Sequence, residues 1–266
     1  MDFRDYYLKE GEQPLDQIPV NGGFTGIFRT IGCVGDSLSS GEYESTDESG
    51  TKKGYHDYYE YSWGQFMARE ACCKVYNFSK GGMTAKNYMQ SFAESKGFWD
   101  PSLACQAYVL ALGVNDILNQ HQPIGTVEDV HLEDYTQNAD TFCGWYARII
   151  QRLKEIQPHA KFFLVTIPRG DLRGQEELRL AHARLLHQLA DLFDNTYVID
   201  LFQYAPVFDE TFRRSFFLGG HMNAAGYLMM AKMIMSYIDY IIRSDFEAFS
   251  QVGFIGKDVH NYNAKW

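Results

Sequence analysis

Ser37 is the residue of this chain whose type and position best suit covalent chemistry. It stands in the run Gly35-Asp36-Ser37-Leu38, directly after the apolar segment 30–34. Such a segment is typical of a buried strand, and a serine at its end lies at the edge of a sheet, where a ligand can reach it. A serine hydroxyl that a neighbouring base activates is a nucleophile for acyl transfer. Since this composition is also common in turns, Ser37 needs support from other residues.

Three further fragments downstream carry groups suited to acyl transfer. The glycine Gly82 can turn a backbone N–H towards a ligand, and the amide of Asn115 can donate a hydrogen bond to an oxyanion. His221 can act as a general base near neutral pH. Taken singly, these residues are also typical of a turn, a helix cap and a surface histidine. They stand in the runs Asn77-Phe78-Ser79-Lys80-Gly81-Gly82-Met83-Thr84, Gly113-Val114-Asn115-Asp116 and Gly219-Gly220-His221-Met222-Asn223.

The elements that must position these residues are short apolar strands alternating with helices. This alternation predicts βαβ units and a parallel sheet covered on both faces. Because strand carboxyl ends share one edge of such a sheet, Ser37, Gly82 and Asn115 are expected to converge there. The periodicity predicts strands over 30–34, 74–78, 107–112, 161–167 and 196–201. It predicts helices over 133–156, 175–193 and 223–243, with further helical spacing at 63–67 and a polar loop over 39–58.

With these four fragments in this order, the chain resembles the SGNH hydrolases, also called GDSL esterases/lipases. The resemblance covers about residues 29–243 and implies a three-layer α/β/α fold with a flavodoxin-like, five-stranded parallel sheet. It implies that Ser37 is the nucleophile and His221 its base. It also implies an oxyanion hole formed by the N–H groups of Ser37 and Gly82 and the Asn115 amide. Residues 1–28 are interpreted as an N-terminal extension packed on this domain, and 244–266 as a C-terminal tail.

One position departs from the family pattern. The family has an aspartate three residues before the histidine, and Leu218 stands there. In a triad that carboxylate fixes the imidazole tautomer and stabilises the imidazolium. Three alternatives remain: a carboxylate from elsewhere, with Asp209 and Glu210 upstream in the same loop as candidates; a backbone carbonyl, whose close approach the glycines at 219 and 220 would permit; or a weak or inactive site. The carbonyl-supported Ser-His dyad is the favoured expectation.

The segment after the nucleophile bears on the substrate. It holds aromatic residues with interspersed carboxylates, a composition that suits a sugar but equally suits packing on the core. The expected reaction is removal of a short acyl group, acetyl in particular, from a carbohydrate. Alternatives are a lysophospholipase or thioesterase type of acyl hydrolase and a non-catalytic sugar-binding descendant. The aromatic residues are Tyr43, Tyr55, Tyr58, Tyr59, Tyr61 and Trp63, with His56 among them.

The amino-acid composition limits the classes of partner and the cellular location expected for this protein. The net charge of −10 argues against nucleic acid or an anionic membrane as the main partner. No stretch approaches the roughly 18 apolar residues of a membrane span. The start of the sequence lacks a signal-peptide pattern, and the cysteine count is odd, so reduced thiols and a cytoplasmic location are expected. The aromatic tail suggests a homo-oligomer contact as an alternative to packing on the domain.

No organic cofactor or metal is expected for the Ser-His mechanism. A metallophosphoesterase that uses Gly35-Asp36, Asn115-Asp116 and several histidines is the competing enzyme class. It would require a tighter set of Asp and His ligands than the sequence displays.

Overall fold

A five-stranded parallel sheet forms the centre of the protein in the computed structural model, which describes residues 2–51, 53–170 and 175–257. The strand order is β4-β1-β5-β6-β7, so the chain starts near one edge and reverses direction beside β1. This is the flavodoxin-like order, in which the crevice at the reversal is the usual ligand site. The strands are β1 (Thr30–Gly35), β2 (Glu42–Thr46), β3 (Lys53–Asp57), β4 (Lys74–Ser79), β5 (Ala107–Ala111), β6 (Lys161–Val165), β7 (Thr196–Ile199), β8 (Phe217–Leu218) and β9 (His221–Met222).

Helices cover both faces of this sheet, which gives the three-layer α/β/α fold. The central strands are buried on both faces, and their side chains divide between two hydrophobic clusters. One cluster packs against α9 and the other against α5, so each apolar helical stripe has a core to bury it. The helices are α1 (Ser37–Ser40), α2 (Trp63–Glu70), α3 (Ala85–Asn87), α4 (Ala93–Ser95), α5 (Phe142–Ile156), α6 (Glu176–Leu192), α7 (Leu201–Tyr204), α8 (Glu210–Phe216) and α9 (Ala224–Ser244).

Two predicted elements differ from the observed ones. The helix predicted from residue 133 begins at Phe142, because Thr141 caps it by accepting a hydrogen bond from the Gly144 N–H. The loop predicted over 39–58 contains an antiparallel hairpin of β2 and β3. Its pairing runs from Glu42 with Asp57 to Thr46 with Lys53. β3 is largely exposed, and β2 is mostly polar although its Glu44 is buried, so neither strand has the apolar run that identified the central strands.

Segments from both ends of the chain contact the central domain. Near the N-terminus, the Phe24 N–H donates to Asp239 on α9, and Glu12 pairs with Arg243. On the C-terminal side, Phe249 is buried in the core next to α9. Residues 258–266, which include the end of the predicted tail, lie outside the described residues. None of the described helices combines the length and the apolar character needed to cross a membrane.

Candidate active site

Ser37 is the first residue of the short helix α1, and Asp36 alone separates it from the end of β1. Asp36 caps this helix, since its buried carboxylate accepts the Leu38 N–H at 3.0 Å. Burial raises the pKa of Asp36 to about 6. The turn requires glycine at position 35, because a Cβ there would lie 2.1 Å from the hydroxyl oxygen of Ser39. The N–H of Ser37 lies in the first turn, where backbone donors have no partner within the helix.

Gly82 and Asn115 follow β4 and β5, and hydrogen bonds join their two loops. Gly82 has φ +72°, and the space beside its Cα is open. The Asn115 amide donates one hydrogen to the Met83 carbonyl oxygen at 3.1 Å, while its own oxygen accepts from Asn119. These contacts fix the orientation of the amide and leave its second N–H for another acceptor. Val114 precedes Asn115, and both line the same pocket as Gly82.

Asp116 also joins the loops that follow β4 and β5. Its side chain is fully buried, and its Oδ1 accepts the Ala85 N–H at 2.7 Å. Burial raises the pKa of this carboxyl to about 7. This contact gives Asp116 a structural role in joining the two loops.

His221 lies in β9, the second strand of a two-residue hairpin. Gly219 and Gly220 form the turn, and Leu218 pairs with His221 across it. The Leu218 side chain is 51% exposed, so it faces solvent. One residue beyond the hairpin, Asn223 caps α9 by accepting the Gly226 N–H.

The carboxylate that contacts His221 at Nδ1 comes from Glu44 on β2. Its Oε1 lies 2.9 Å from Nδ1 and also accepts the Gly220 N–H at 2.6 Å. Lys53 on β3 lies 3.4 Å from the other oxygen. Burial by itself raises the pKa of Glu44, but the hydrogen bonds from His221 and Gly220 and the charge of Lys53 outweigh it and hold the pKa below its usual range. Glu44 therefore presents an ionised acceptor to the imidazole ring.

The glycine turn makes room for this carboxylate. A Cβ at Gly219 would lie 2.1 Å from Oε2 of Glu44, and one at Gly220 would lie 2.8 Å from Oε1. The expected close approach at these glycines therefore involves a side-chain carboxylate. It replaces the backbone carbonyl that the sequence favoured as the partner of His221.

The two carboxylates suggested from the preceding loop have other contacts. Asp209 caps α8 by accepting the Phe212 N–H, and Glu210 pairs with Arg214 one turn further along that helix. Neither is the partner found at Nδ1 of His221. The sequence analysis missed Glu44 because it lies in a segment interpreted as a polar loop, 177 positions from the histidine.

A second carboxylate lies at the other ring nitrogen. Oε1 of Glu42 is 3.2 Å from Nε2 of His221. Burial raises the pKa of Glu42, and the nearby histidine counteracts this only in part. The Tyr227 hydroxyl on α9 donates to the Glu42 backbone carbonyl and so holds this end of β2 in place. Residues 42 and 44 share one face of the strand, so the two carboxylates bracket the imidazole.

One pocket of about 320 Å³ brings together the four residues predicted for the site: Ser37, Gly82, Asn115 and His221. A narrow apolar slot of about 50 Å³ adjoins it and shares Asp36, Leu38 and Val114 with its wall. The slot extends towards the buried side chains Trp63, Leu112, Ile167, Leu201, Met230 and Ile234.

The aromatic residues predicted to contact a sugar fall into two groups. Tyr55 on β3 is 58% exposed, and its ring meets His221 edge to face with centroids 5.9 Å apart. Tyr43 packs against Tyr58 and Tyr61, and Trp63 is buried in the core. Trp63 is therefore a core residue rather than a sugar platform, and Tyr55 is the aromatic side chain beside the histidine.

No group of three or more His, Cys, Asp or Glu side chains is arranged to hold a metal ion in residues 2–51, 53–170 and 175–257. The metallophosphoesterase alternative consequently has no ligand set in the described part of the chain. His182 is buried beside the Gly113 turn, with Nε2 3.2 Å from the Leu112 carbonyl oxygen. Burial lowers its pKa to about 4, so it is a neutral core residue.

Comparison with known proteins identifies the family to which this arrangement belongs. Residues 33–229 match the model of the GDSL-like lipase/acylhydrolase family, which is more than half of the chain. The chain belongs to this family. The GDSL family membership makes it a serine ester hydrolase and agrees with the sequence resemblance. A comparison with proteins of curated function found no match.

Solved structures with the same fold include carbohydrate esterases. A family two carbohydrate esterase from Clostridium thermocellum, in complex with cellohexaose, is 17% identical with a TM-score of 0.57, over 80% of this chain and 64% of that one. A family two enzyme from Corynascus thermopiles (Myceliophthora fergusii) is 16% identical with a TM-score of 0.54, over 79% and 65%. A carbohydrate acetylesterase from Sinorhizobium meliloti is 14% identical with a TM-score of 0.52, over 80% and 99%. This GDSL protein therefore spans less than two thirds of each family two enzyme's length.

Proposed function

We propose that this GDSL-family protein removes short acyl groups, O-acetyl in particular, from a carbohydrate. The observation that carries the proposal is the pocket shared by Ser37, Gly82, Asn115 and His221, in which Glu44 holds the imidazole at Nδ1. Nucleophile, base, positioning carboxylate and oxyanion donors are the complete set of parts for serine-dependent acyl transfer.

In the proposed reaction, Nε2 of His221 takes the hydroxyl proton as Oγ of Ser37 attacks the ester carbonyl carbon. The N–H groups of Ser37 and Gly82 and the free amide hydrogen of Asn115 hold the resulting oxyanion. When the intermediate collapses, the bond to the alcohol oxygen breaks, and the proton on Nε2 passes to that oxygen. A water molecule then gives a proton to Nε2 and attacks the acyl carbon; the bond from that carbon to Oγ breaks, the proton on Nε2 passes to Oγ, and the acid leaves.

The apolar slot next to Ser37 supports a short acyl group. Its volume of about 50 Å³ exceeds the roughly 10–15 Å³ that one water molecule needs, but it ends against the packed core. The partly exposed Leu38 and Val114 stand where the slot meets the pocket. The acyl chain is therefore expected to be limited by the walls of this slot.

Leu38→Ala should widen the entrance of the slot and raise the kcat/KM of hexanoyl and octanoyl esters relative to the acetyl ester by about tenfold. Each added methylene that finds apolar contact contributes about 0.8 kcal/mol. The measurement is kcat/KM for 4-nitrophenyl esters of two to eight carbons, with Leu132→Ala as a control at an exposed leucine outside the site. A wild-type rate that rises steeply with chain length would contradict the short-acyl proposal.

The carbohydrate part of the proposal is supported by Tyr55 and by the fold shared with carbohydrate esterases. Tyr55 presents an exposed aromatic ring beside His221, which suits packing against a sugar face. Tyr55→Ala should raise the KM for an acetylated oligosaccharide several-fold and leave 4-nitrophenyl acetate nearly unaffected. Tyr58→Ala, at a similarly exposed tyrosine, is the matched control. Equal losses on both substrates would mean that Tyr55 supports the histidine and not a sugar.

The decisive experiment compares the wild type with Ser37→Ala on 4-nitrophenyl acetate, in the presence of a chelator. Turnover that disappears with the serine and ignores the chelator is the expected result. Equal turnover in both proteins would refute Ser37 as the nucleophile. Absence of turnover in both, together with tight binding of a sugar, would favour the non-catalytic alternative.

A further inference from the structure

Glu42 lies beside the ring nitrogen that acts as the proton donor in the proposed reaction. Its Oε1 lies 3.2 Å from Nε2 of His221. In the proposed reaction this nitrogen delivers its proton to the leaving oxygen, which must come within about 2.6–3.2 Å of it. The Glu42 carboxylate therefore marks the side of the pocket on which the alcohol leaves. This step rests on the proposed function, since it takes Nε2 as the proton donor.

The local sequence makes room for this carboxylate. A Cβ at Gly81 would lie 2.0 Å from Oε2 of Glu42, so the glycine preceding Gly82 lets the side chain lie across the pocket. Glu42 is also one of the lining residues of that pocket, with a side chain that is only 17% exposed. A charge so little screened by solvent acts strongly on a group bound next to it.

The surroundings of Glu42 are negative apart from the histidine. Asp36 and Glu42 line the pocket, and among its described lining residues there is no lysine or arginine. Asp57 and Glu44 are near enough to add to the raised pKa of Glu42. Lys53, a positive charge on the hairpin, lies against Oε2 of Glu44 at the Nδ1 side of the ring.

We propose that Glu42 is a specificity-determining residue that selects esters by the charge of their alcohol part. When an ester binds, the carboxylate gives up Nε2 and faces the alcohol part, where it attracts a cationic group or accepts a hydrogen bond from a hydroxyl group. A cationic alcohol part is then favoured, a neutral one accepted, and an anionic one disfavoured by repulsion.

The test uses three phenyl acetates whose para substituent is trimethylammonium, nitro or carboxylate. For each ester, the kcat/KM of Glu42→Gln is divided by that of the wild type, which cancels intrinsic reactivity. At low ionic strength this ratio should be about five- to tenfold lower for the cationic ester than for the nitro ester, and higher by a similar factor for the anionic ester. Both differences should shrink in 1 M salt.

Two matched variants separate the effect of the Glu42 charge from effects on folding and on the net charge of the protein. Glu42→Asp keeps the charge and should retain the wild-type order of the three esters, and Glu133→Gln removes an exposed charge outside the pocket and should change none of the ratios. If turnover is lost in Ser37→Ala but Glu42→Gln changes all three esters by the same factor, only this inference is overturned. Turnover that survives Ser37→Ala would overturn the proposed function and this inference with it.

Discussion

Replacing Glu44 by glutamine tests whether its charge acts on the reaction through His221. In the structure one oxygen of Glu44 accepts both the Nδ1 and the Gly220 N–H hydrogen bonds. The carbonyl oxygen of a glutamine can accept the same two bonds, so Glu44→Gln removes the charge and keeps the acceptor. Glu44→Ala removes both, and the comparison separates positioning from charge stabilisation.

The magnitude follows from the contact distance. A full charge pair at 2.9 Å with an effective dielectric constant of about 20 has an energy of about 6 kcal/mol, which is an upper limit. The amide dipole of glutamine retains part of this, and Lys53 already offsets part of the charge. A loss of about 3 kcal/mol when the imidazolium forms corresponds to about a hundredfold in kcat. For Glu44→Ala, which also frees the ring, a loss of roughly 10³–10⁴ is expected, the scale seen when a triad carboxylate is replaced.

The assay is kcat and KM on 4-nitrophenyl acetate, with thermal unfolding to confirm that each variant is folded. Glu48→Gln in the turn of the same hairpin is the control for a charge change that does not contact the histidine. Because Glu44 acts through the ring, Glu44→Gln should have no further effect in the His221→Ala background. A change of less than twofold in the wild-type background, or an equal loss in both backgrounds, would refute the reasoning.

Two further predictions concern the neighbouring loops. Asn115→Ala should lower kcat by about a hundredfold or more with little change in KM, which is the usual cost of losing one oxyanion donor. Asn119→Ala removes only the hydrogen bond that supports this amide, so its loss of kcat should be much smaller. An unchanged kcat in Asn115→Ala would exclude the amide from the oxyanion hole. Burial raises the pKa of Asp116 from 3.8 to about 7, so the folded state binds its proton more tightly and this group's contribution to stability decreases as pH rises from about 4 to about 7. The melting temperature of Asp116→Asn minus that of the wild type should therefore increase from pH 5 to pH 8. If this difference stays constant over that range, the Asp116 carboxyl does not titrate there.

The central sheet was predictable because its strands are short apolar runs bounded by turn residues. All five were located from the sequence, and the parallel topology followed from the helices between them. Helix boundaries that depend on a single capping residue were harder to predict from the sequence. Thr141 caps α5, which begins at Phe142, nine residues later than the apolar periodicity suggested. Such positions depend on one hydrogen bond, which periodicity does not register.

Predicting which carboxylate contacts His221 required information that no single sequence fragment contains. The sequence predicted Ser37, Gly82, Asn115 and His221 as site residues, since each follows a recognisable strand or precedes a helix, and all four line one pocket. A strand was hidden at 42–46, and Glu42 and Glu44 face the histidine only because strand side chains alternate. The alternating Glu-Tyr-Glu pattern was the available signal, but it has meaning only once β2 is known to lie beside β9.

The source of the charge beside His221 has consequences for how the site is held together. In the family pattern the carboxylate and the histidine lie three residues apart, so one loop fixes both. Here Leu218 faces solvent, and the charge comes from a separate hairpin that meets the glycine turn at 219–220. Orientation of the histidine therefore depends on β2 remaining docked, through Tyr227 at Glu42 and through the Gly220 N–H at Glu44. Substitutions that loosen this hairpin should lower activity before they lower the stability of the central sheet.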